Sequence, residues 1–137
     1  MLFRSIRALG LSDVVEVTGW IPRERLYELY RKAWAFVYPS RFEGFGMPVA
    51  EAMAAGAPLA CSDIEPLRDI AGDSALYFAP GDEQGIARAL QALTSDSALC
   101  SRLAAKARER AAQFTWESAA AATRSVLEEA ASARRRS

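Results

Sequence analysis

The chain has 137 residues, enough for one domain that buries about two-thirds of the surface exposed by its unfolded chain. Its 17 Lys and Arg residues balance 17 Asp and Glu residues, so no overall positive field attracts nucleic acid, and we expect no nucleic-acid partner. There is no histidine, and Cys61 and Cys100 lie far apart, so zinc-site spacings are excluded; we expect reduced thiols, no bound metal and no cofactor.

The sequence gives no signal for membrane insertion or secretion. The longest apolar run, near residues 52–61, contains Gly56 and Pro58 and is too short to cross a bilayer. The N-terminus lacks a signal-peptide pattern, so we expect a cytoplasmic protein. The basic tail of Arg134, Arg135 and Arg136 could touch lipid head groups, but terminal basic runs are usually solvated, so membrane association is not indicated.

In chain order, short β-rich segments alternate with helical ones, which predicts an α/β fold: a Rossmann-like parallel sheet with helices on both faces. The predicted strands are short, apolar and bounded by Gly, Pro or Asp, and they span residues 14–18, 35–38, 59–62 and 75–78. The predicted helices between them span residues 23–32, 48–55 and 66–71, the first with Leu26, Leu29 and Tyr30 on one side.

After Phe78 the pattern becomes entirely helical, so residues 82–137 form a helical C-terminal part of one domain spanning 1–137. Asp82 is placed to cap the first of these helices, the second spans about residues 97–113, and Thr115 opens the third. The apolar residues predicted to pack are Ile86, Leu90 and Leu93 in the first, Leu99 and Leu103 in the second, and Val126 and Leu127 in the third.

The most informative segment is SRFEGFGMPVAEAMAAG, in which Glu43 and Glu51 bracket a glycine loop that leads directly into a helix. Pro48 suits the first helical turn, so the helix is predicted to begin near Met47. The local sequence supplies no Ser, Thr, Asp or Asn at its cap, and the first free N–H groups therefore lack a side-chain acceptor. Gly44 and Gly46 permit close backbone approach, and the helix dipole favours a pyrophosphate there.

The two glutamates suit sugar hydroxyls, because a carboxylate accepts two hydroxyl hydrogen bonds from a vicinal diol. Glu51 lies one helical turn in, within reach of a ribose, and Glu43 lies before the loop, where a sugar ring would sit. The loop follows the strand ending at Tyr38, and ligands bind at strand carboxyl ends in such sheets. The alternative is that both glutamates are solvated residues beside a glycine turn.

The preceding loop, Gly19-Trp20-Ile21-Pro22, is expected to open on the same edge of the sheet, where its backbone atoms could hold a base. Trp20 has an alternative interpretation as an aromatic residue of the core or of its rim.

A longer run of residues resembles a known family. From VEVTGWIPRERLYELYRKAWAFVYPSRFEGFGMPVAEAMAAG to GDSALYFAPGD, the sequence is similar to the nucleotide-binding half of family 4 retaining glycosyltransferases, which have the two-Rossmann GT-B fold. The similarity covers roughly residues 15–116. Its most specific parts are PSRFEGFGMPVAEAMAAGAP, which contains the E-x7-E pattern of the family, and GDSALYFAPGD.

The resemblance implies transfer of a hexosyl group from a nucleotide-diphosphate sugar to an acceptor hydroxyl, with retention of configuration and without a bound metal. Glu43, as the catalytic residue, would contact donor-sugar hydroxyls, and Glu51 would bind the ribose diol. The backbone amides of the loop residues would face the sugar and diphosphate, and the main chain of Ile21 would meet the base. The loop residues are Gly44, Phe45, Gly46 and Met47.

The family pattern is incomplete in this chain. The Arg and Lys that grip the diphosphate in relatives lie upstream of the first strand, and the acceptor-binding N-terminal domain is not present, so we expect a domain truncated on its N-terminal side and inactive in isolation. The alternative is a non-catalytic nucleotide-binding or protein-interaction module, in which the helix after Thr115 exposes Trp116 and Val126 to a partner. A related epimerase or phosphorylase is less favoured, because epimerase-like chemistry would need acid–base histidines.

Overall fold

The computed structural model describes residues 2–134, and the side chains from Arg4 to Arg134. They form a three-stranded sheet, seven helices and connecting loops. In chain order the elements are α1 Leu2–Ala8, α2 Arg23–Lys32, β1 Phe36–Tyr38, α3 Met47–Ala55, β2 Leu59–Ser62, α4 Glu65–Ala71, β3 Ala75–Phe78, α5 Glu83–Ser95, α6 Ser97–Ala111 and α7 Trp116–Arg134. The predicted parallel sheet with a helical C-terminal part is confirmed.

The sheet has the order β1-β2-β3, and both pairings are parallel. Phe36 lies opposite Leu59 in the first pair, and Leu59 lies opposite Ala75 in the second. Parallel neighbours need crossover connections, and α3 and α4 supply them. The carboxyl ends of all three strands therefore lie at one edge of the sheet. The loops that follow the strands leave from this edge and begin at Pro39, Asp63 and Ala79.

The strand predicted over residues 14–18 is wrong. These residues adopt a turn and irregular backbone, and Val14, Val15 and Val17 are all exposed. Their alternating apolar pattern satisfies the local preference for a strand, but a strand is stabilised by pairing with a neighbour. Within residues 2–134 no strand lies beside this segment, so its pattern has nothing to pair with.

The two faces of the sheet have separate cores. On one face, Val49 and Met53 of α3 and Leu67 of α4 pack against Leu59 and Cys61. On the other face, Phe78 and Ala60 pack against Ala89 and Leu93 of α5, together with Cys100 and Leu103 of α6. The alternation of residues 59 to 62 between the two faces follows from the period of two in a strand.

Helix α2 packs mainly on α3 and reaches the sheet through Tyr30. Buried Tyr30 meets Ala52 and Ala57, and half-buried Leu26 and Tyr27 surround this cluster. Leu29, which was predicted to share the packed side, is exposed. Tyr30 also contacts Phe36 edge-on, with ring centroids 5.4 Å apart. The buried face of α2 is therefore largely aromatic.

Helix α6 crosses from the α5 face to the α3 face and is fastened there by cationic side chains. Arg110 donates to the carbonyl oxygens of Ile70 at 2.6 Å and Asp69 at 2.5 Å, which lie in the last turn of α4. Lys106 pairs with Asp73 just beyond that turn. Since the last carbonyls of a helix have no intrahelical partner, the two Arg110 bonds satisfy groups that α4 leaves free.

The C-terminal helices differ from prediction in three details. Asp82 stands at the N-cap of α5 without a capping side-chain bond and pairs instead with Arg88 at 3.3 Å. Leu90 is exposed, because Ala89 and Leu93 form the buried side of α5 with half-buried Ile86. The predicted burial of Val126 and Leu127 is wrong: each is 64% exposed, and α7 has no buried residue among those described.

Other predicted features have these outcomes. Thr115 caps α7 by accepting from the Ser118 amide at 3.1 Å. Cys61 and Cys100 are buried free thiols, and burial raises the pKa of Cys61 to about 12. In the tail, Arg134 ends α7, and Arg135 and Arg136 lie outside the described residues. No helix in residues 2–134 combines the length and apolarity needed to cross a membrane.

Candidate functional site

The predicted loop lies between the carboxyl end of β1 and the first turn of α3. Gly46 is the N-cap of α3, with φ 104° and ψ 44°, and it makes no side-chain capping bond. Its backbone passes so close to buried Leu67 that an added Cβ would lie 2.5 Å from Leu67 Cδ2. The amides of Gly46 and Met47 precede the first intrahelical donor, so they have no acceptor within the helix. This end of α3 therefore presents N–H groups and a positive dipole.

Glu43 is held at this edge by the last residue of β1. The Tyr38 hydroxyl donates to Glu43 Oε1 at 2.6 Å. That bond, together with one from Ser40, lowers the pKa of the Glu43 carboxyl below its ordinary value. The same bond, with burial, raises the pKa of Tyr38 to about 12. Glu43 is thus an oriented carboxylate, and its four lone-pair positions leave room for hydroxyl donors beyond Tyr38 and Ser40.

Glu51 lies one turn into α3 and faces α2. Tyr27 and Tyr30 donate to its two carboxylate oxygens at 3.5 and 3.4 Å, and Arg23 lies 3.7 Å from Oε1. These contacts are long, since strong O–H···O bonds measure about 2.5–3.0 Å. A ligand diol at ordinary hydrogen-bond distance would compete well with them. Burial, followed by the nearby Glu51 charge, raises the pKa of Tyr30 to about 12, which keeps its hydroxyl a donor.

An open cavity of ≈ 340 Å³ lies beside Glu51 in the groove between α2 and α3. It is lined by Tyr27, Arg31, Glu51, Ala54 and Ala55. Ile21 is half-buried and stands two residues before Arg23, the residue of α2 that reaches Glu51. The structure therefore places Ile21 near the first turn of α2. Trp20 is 90% exposed, so neither a core nor a rim position describes it.

The remaining predicted loop residues are accessible except Gly46. Gly44, Phe45 and Met47 are exposed, and Gly46 is buried against Leu67. The ring of Phe45 contacts the ring of Phe114 edge-on, with centroids 6.2 Å apart and planes at 88°. Phe114 lies in the connection between α6 and α7, which places that connection beside the glycine loop.

Sequence reasoning did not identify the groups that hold the two carboxylates. Tyr38 was noted only as a strand end, and Arg23, Tyr27 and Tyr30 were assigned no role at the site. A signal was present in the sequence: positions 23, 27 and 30 fall on one face of α2 at helical spacing. Their partner on α3 is set by helix packing, so the sequence alone did not assign it.

The arrangement combines hydroxyl acceptors with anion donors. Glu43 and Glu51 are carboxylates on either side of an uncapped helix N-terminus at the carboxyl edge of a parallel sheet. Such a site suits a ligand that carries hydroxyls at both ends and negative charge between them. Among residues 4–134, no three His, Cys, Asp or Glu side chains come together as a metal-binding group.

The chain matches a protein-family model described as "Glycosyl transferases group 1" over residues 1–110, most of its length. Among curated proteins, it is 43% identical over 106 residues to O-antigen chain mannosyltransferase B of Escherichia coli, covering 75% of this chain and 27% of that protein. It is 34% identical over 129 residues to MMP alpha-(1->4)-mannosyltransferase of Mycolicibacterium hassiacum, covering 91% of this chain and 31% of that protein.

A solved structure gives the same architecture. The sucrose-phosphate synthase of Thermosynechococcus elongatus superposes with a TM-score of 0.86 at 30% identity, covering 96% of this chain and 34% of that one. The chain therefore spans 27% to 34% of the length of these three proteins. The structural match extends over nearly the whole chain.

Proposed function

Because the chain belongs to the group 1 glycosyltransferases, we propose that it forms the donor-binding domain of a retaining, metal-independent hexosyltransferase that uses a nucleotide-diphosphate sugar. The observation that carries this proposal is the position of Glu43 and Glu51 on either side of the uncapped N-terminus of α3. Two of the relatives described above are mannosyltransferases, which makes mannose a first candidate for the sugar.

Each part of the donor has a group of matching chemistry. Glu51 accepts from the ribose diol, displacing the long contacts from Tyr27 and Tyr30. The diphosphate lies against the amides of Gly46 and Met47, where the α3 dipole favours negative charge. Residues 44–47 line the path from diphosphate to sugar, and the main chain of Ile21 meets the base.

Glu43 is the catalytic residue in this proposal because it contacts hydroxyls of the sugar that is transferred. The Tyr38 bond at 2.6 Å fixes the Glu43 carboxylate before the donor binds. The side chain therefore loses less conformational freedom when the sugar binds. As the glycosidic bond to the diphosphate breaks, negative charge grows on the leaving phosphate. The amides and dipole of the α3 N-terminus stabilise that charge more than the ground state, which lowers the barrier.

Acceptor binding is assigned to an N-terminal domain outside residues 1–137, and the further diphosphate-binding cations are assigned to a segment upstream of residues 14–18, as the resemblance implies. Removing one group that stabilises transition-state charge typically costs about 100- to 1000-fold in rate. We therefore expect the 137-residue chain alone to bind donor but to show negligible transfer. Robust glycosyl transfer by the purified chain would contradict this part of the proposal.

A second function is favoured by a separate observation, the exposure of α7. Trp116 is 88% exposed, and α7 has no buried residue among those described. A nucleotide-binding or protein-interaction module derived from a transferase would use this helix as a contact surface. The two functions differ in their dependence on Glu43, because a module without transfer has no need to bind the sugar.

Calorimetric titration with paired ligands tests the donor site. The ligands are the diphosphates of uridine, guanosine and adenosine, each with and without an attached glucose or mannose. For the nucleotide that binds, Glu51→Ala should lower the affinity for the diphosphate and for its sugar-bearing form by about 10- to 150-fold. This range corresponds to the about 1.5–3 kcal/mol contributed by hydrogen bonds to a charged group. Glu43→Ala should weaken the sugar-bearing member alone.

Glu129→Ala is the matched control, since Glu129 is an exposed carboxylate on α7, away from the loop. It should bind like the wild type. Failure of every ligand to bind the folded wild type, or equal affinities for wild type and Glu51→Ala, would refute the donor site. If Glu43→Ala lowered the affinity for the sugar-bearing and sugar-free ligands to the same extent, the role given to Glu43 would be refuted.

A further inference from the structure

The contact between Phe45 and Phe114 joins the glycine loop to the end of α6. The two rings meet edge-on at 6.2 Å and 88°, a favoured geometry for an aromatic pair. Phe45 is 44% exposed and Phe114 is 41% exposed, so about half of each ring is covered. Neither position is a deep core residue, and the contact therefore has to be explained by what it holds in place.

The loop needs support from outside its own sequence. Phe45 stands between Gly44 and Gly46, and glycine loses more conformational freedom on ordering than any other residue. Gly44 has open space around it, with no atom within 4 Å of an added Cβ. On the other side, Gly46 is fixed by its close approach to Leu67. The ring of Phe45 is the side chain through which the segment between these two glycines is held.

Phe114 is a rigid support for that ring. Its amide donates to the Ala111 carbonyl at 3.0 Å, and the Gln113 amide donates to the Arg110 carbonyl at 3.1 Å, so the chain turns tightly at the end of α6. Arg110 in turn binds the carbonyl of Ile70 at 2.6 Å. The end of α6 is thereby fastened to α4, and Phe114 projects from a fixed backbone.

We propose that Phe114 is a positioning residue for the donor site: through Phe45 it holds the amides of residues 45–47 in the arrangement that receives the diphosphate. The inference rests on the proposed function for its ligand, but the ordering of the loop by Phe114 is independent of any ligand. It also makes the geometry of the loop depend on α6, which is distant from it in the sequence.

Backbone order parameters from NMR relaxation of the unliganded 137-residue chain test the ordering. In Phe114→Ala the order parameters of residues 44–47 should fall from the roughly 0.85 of a rigid backbone toward the values below about 0.6 of a flexible one. Phe114→Tyr keeps the ring and should restore the wild-type order parameters, and Phe114→Leu, which keeps apolar bulk, should be intermediate. Trp116→Ala, which removes an exposed aromatic ring from the neighbouring first turn of α7, is the matched control and should leave these amides unchanged.

Binding measurements then separate this inference from the proposed function. Phe114→Ala should lower the affinity for the nucleoside diphosphate by about 2- to 12-fold. It should leave the affinity for the nucleoside without phosphate unchanged, because only the diphosphate contacts the loop amides. Loop order parameters in Phe114→Ala equal to those in Trp116→Ala would overturn the positioning role. Absence of nucleotide binding by wild type, with lower loop order parameters in Phe114→Ala, would overturn the donor site and leave the ordering role standing.

Discussion

Replacing Gly46 with alanine should cost more stability than any other single change in the glycine loop. Gly46 has φ 104°, and an added Cβ would lie 2.5 Å from Cδ2 of the fully buried Leu67, which cannot swing into solvent. Left-handed backbone costs an L-residue about 1–2 kcal/mol, and overpacking a core costs about 1–3 kcal/mol. The free energy of unfolding should therefore fall by about 2–5 kcal/mol.

Urea unfolding followed by circular dichroism measures this loss. For an m-value of about 2 kcal/mol/M, a loss of about 3 kcal/mol lowers the midpoint by about 1.5 M. Gly44→Ala is the matched control, because its added Cβ meets no atom within 4 Å and its φ is not positive. It should change stability by no more than about 0.5 kcal/mol. Equal midpoints for the two variants would refute the argument that Leu67 and the left-handed backbone require glycine at position 46.

Two further predictions concern buried serines and pH. Ser62 and Ser74 are both fully buried, but only Ser74 donates a hydrogen bond, to the Ala71 carbonyl at 2.6 Å, whereas the Ser62 hydroxyl has no partner in residues 4–134. In thermal unfolding, Ser74→Ala should lower the free energy of unfolding by about 1 kcal/mol, and Ser62→Ala should leave it unchanged or raise it. A larger loss in Ser62→Ala than in Ser74→Ala would contradict this prediction. Tyr38→Phe should raise the pKa of the Glu43 carboxyl, measured by NMR titration, because it removes the bond that lowers that pKa. The stability that this bond gives is present above the ordinary carboxyl pKa of 4.5 and is lost as pH falls through the lowered value. On the alkaline side, the contribution of the neutral Tyr38 hydroxyl is complete below pH 10 and is lost as pH rises through about 12. The difference in unfolding free energy between wild type and Tyr38→Phe should thus narrow at both acid and alkaline pH. A difference independent of pH would contradict the assignment of this stability to the bond between Tyr38 and Glu43.

Elements with a strong local signal were predictable from the sequence. The bounds of α2, β2 and β3 match the prediction, and α3 begins at Met47 without a side-chain cap. These segments have apolar periodicity bounded by Pro, Gly or Asp, so local preference and tertiary packing agree. The same local pattern failed over residues 14–18, where a strand would have required a neighbouring strand to pair with.

The positions of Glu43 and Glu51 relative to the loop were also readable, because both lie within one continuous segment of the sequence. Spacing along a strand–loop–helix unit fixes which residues precede the helix and which lie one turn inside it. The sequence by itself therefore determined the three strands of the sheet, the uncapped N-terminus of α3 and the two carboxylates on either side of that N-terminus.

Only the tertiary structure decided what surrounds those carboxylates. Tyr27 and Tyr30 reach Glu51 because α2 packs on α3, and Phe114 reaches Phe45 because α6 crosses to the same face of the sheet. These contacts join residues that are distant in sequence, and their geometry depends on how the helices pack, which no single segment encodes. For the same reason, the sequence could not decide whether Val126 and Leu127 are buried or exposed, because the burial of an apolar stripe depends on what lies against it.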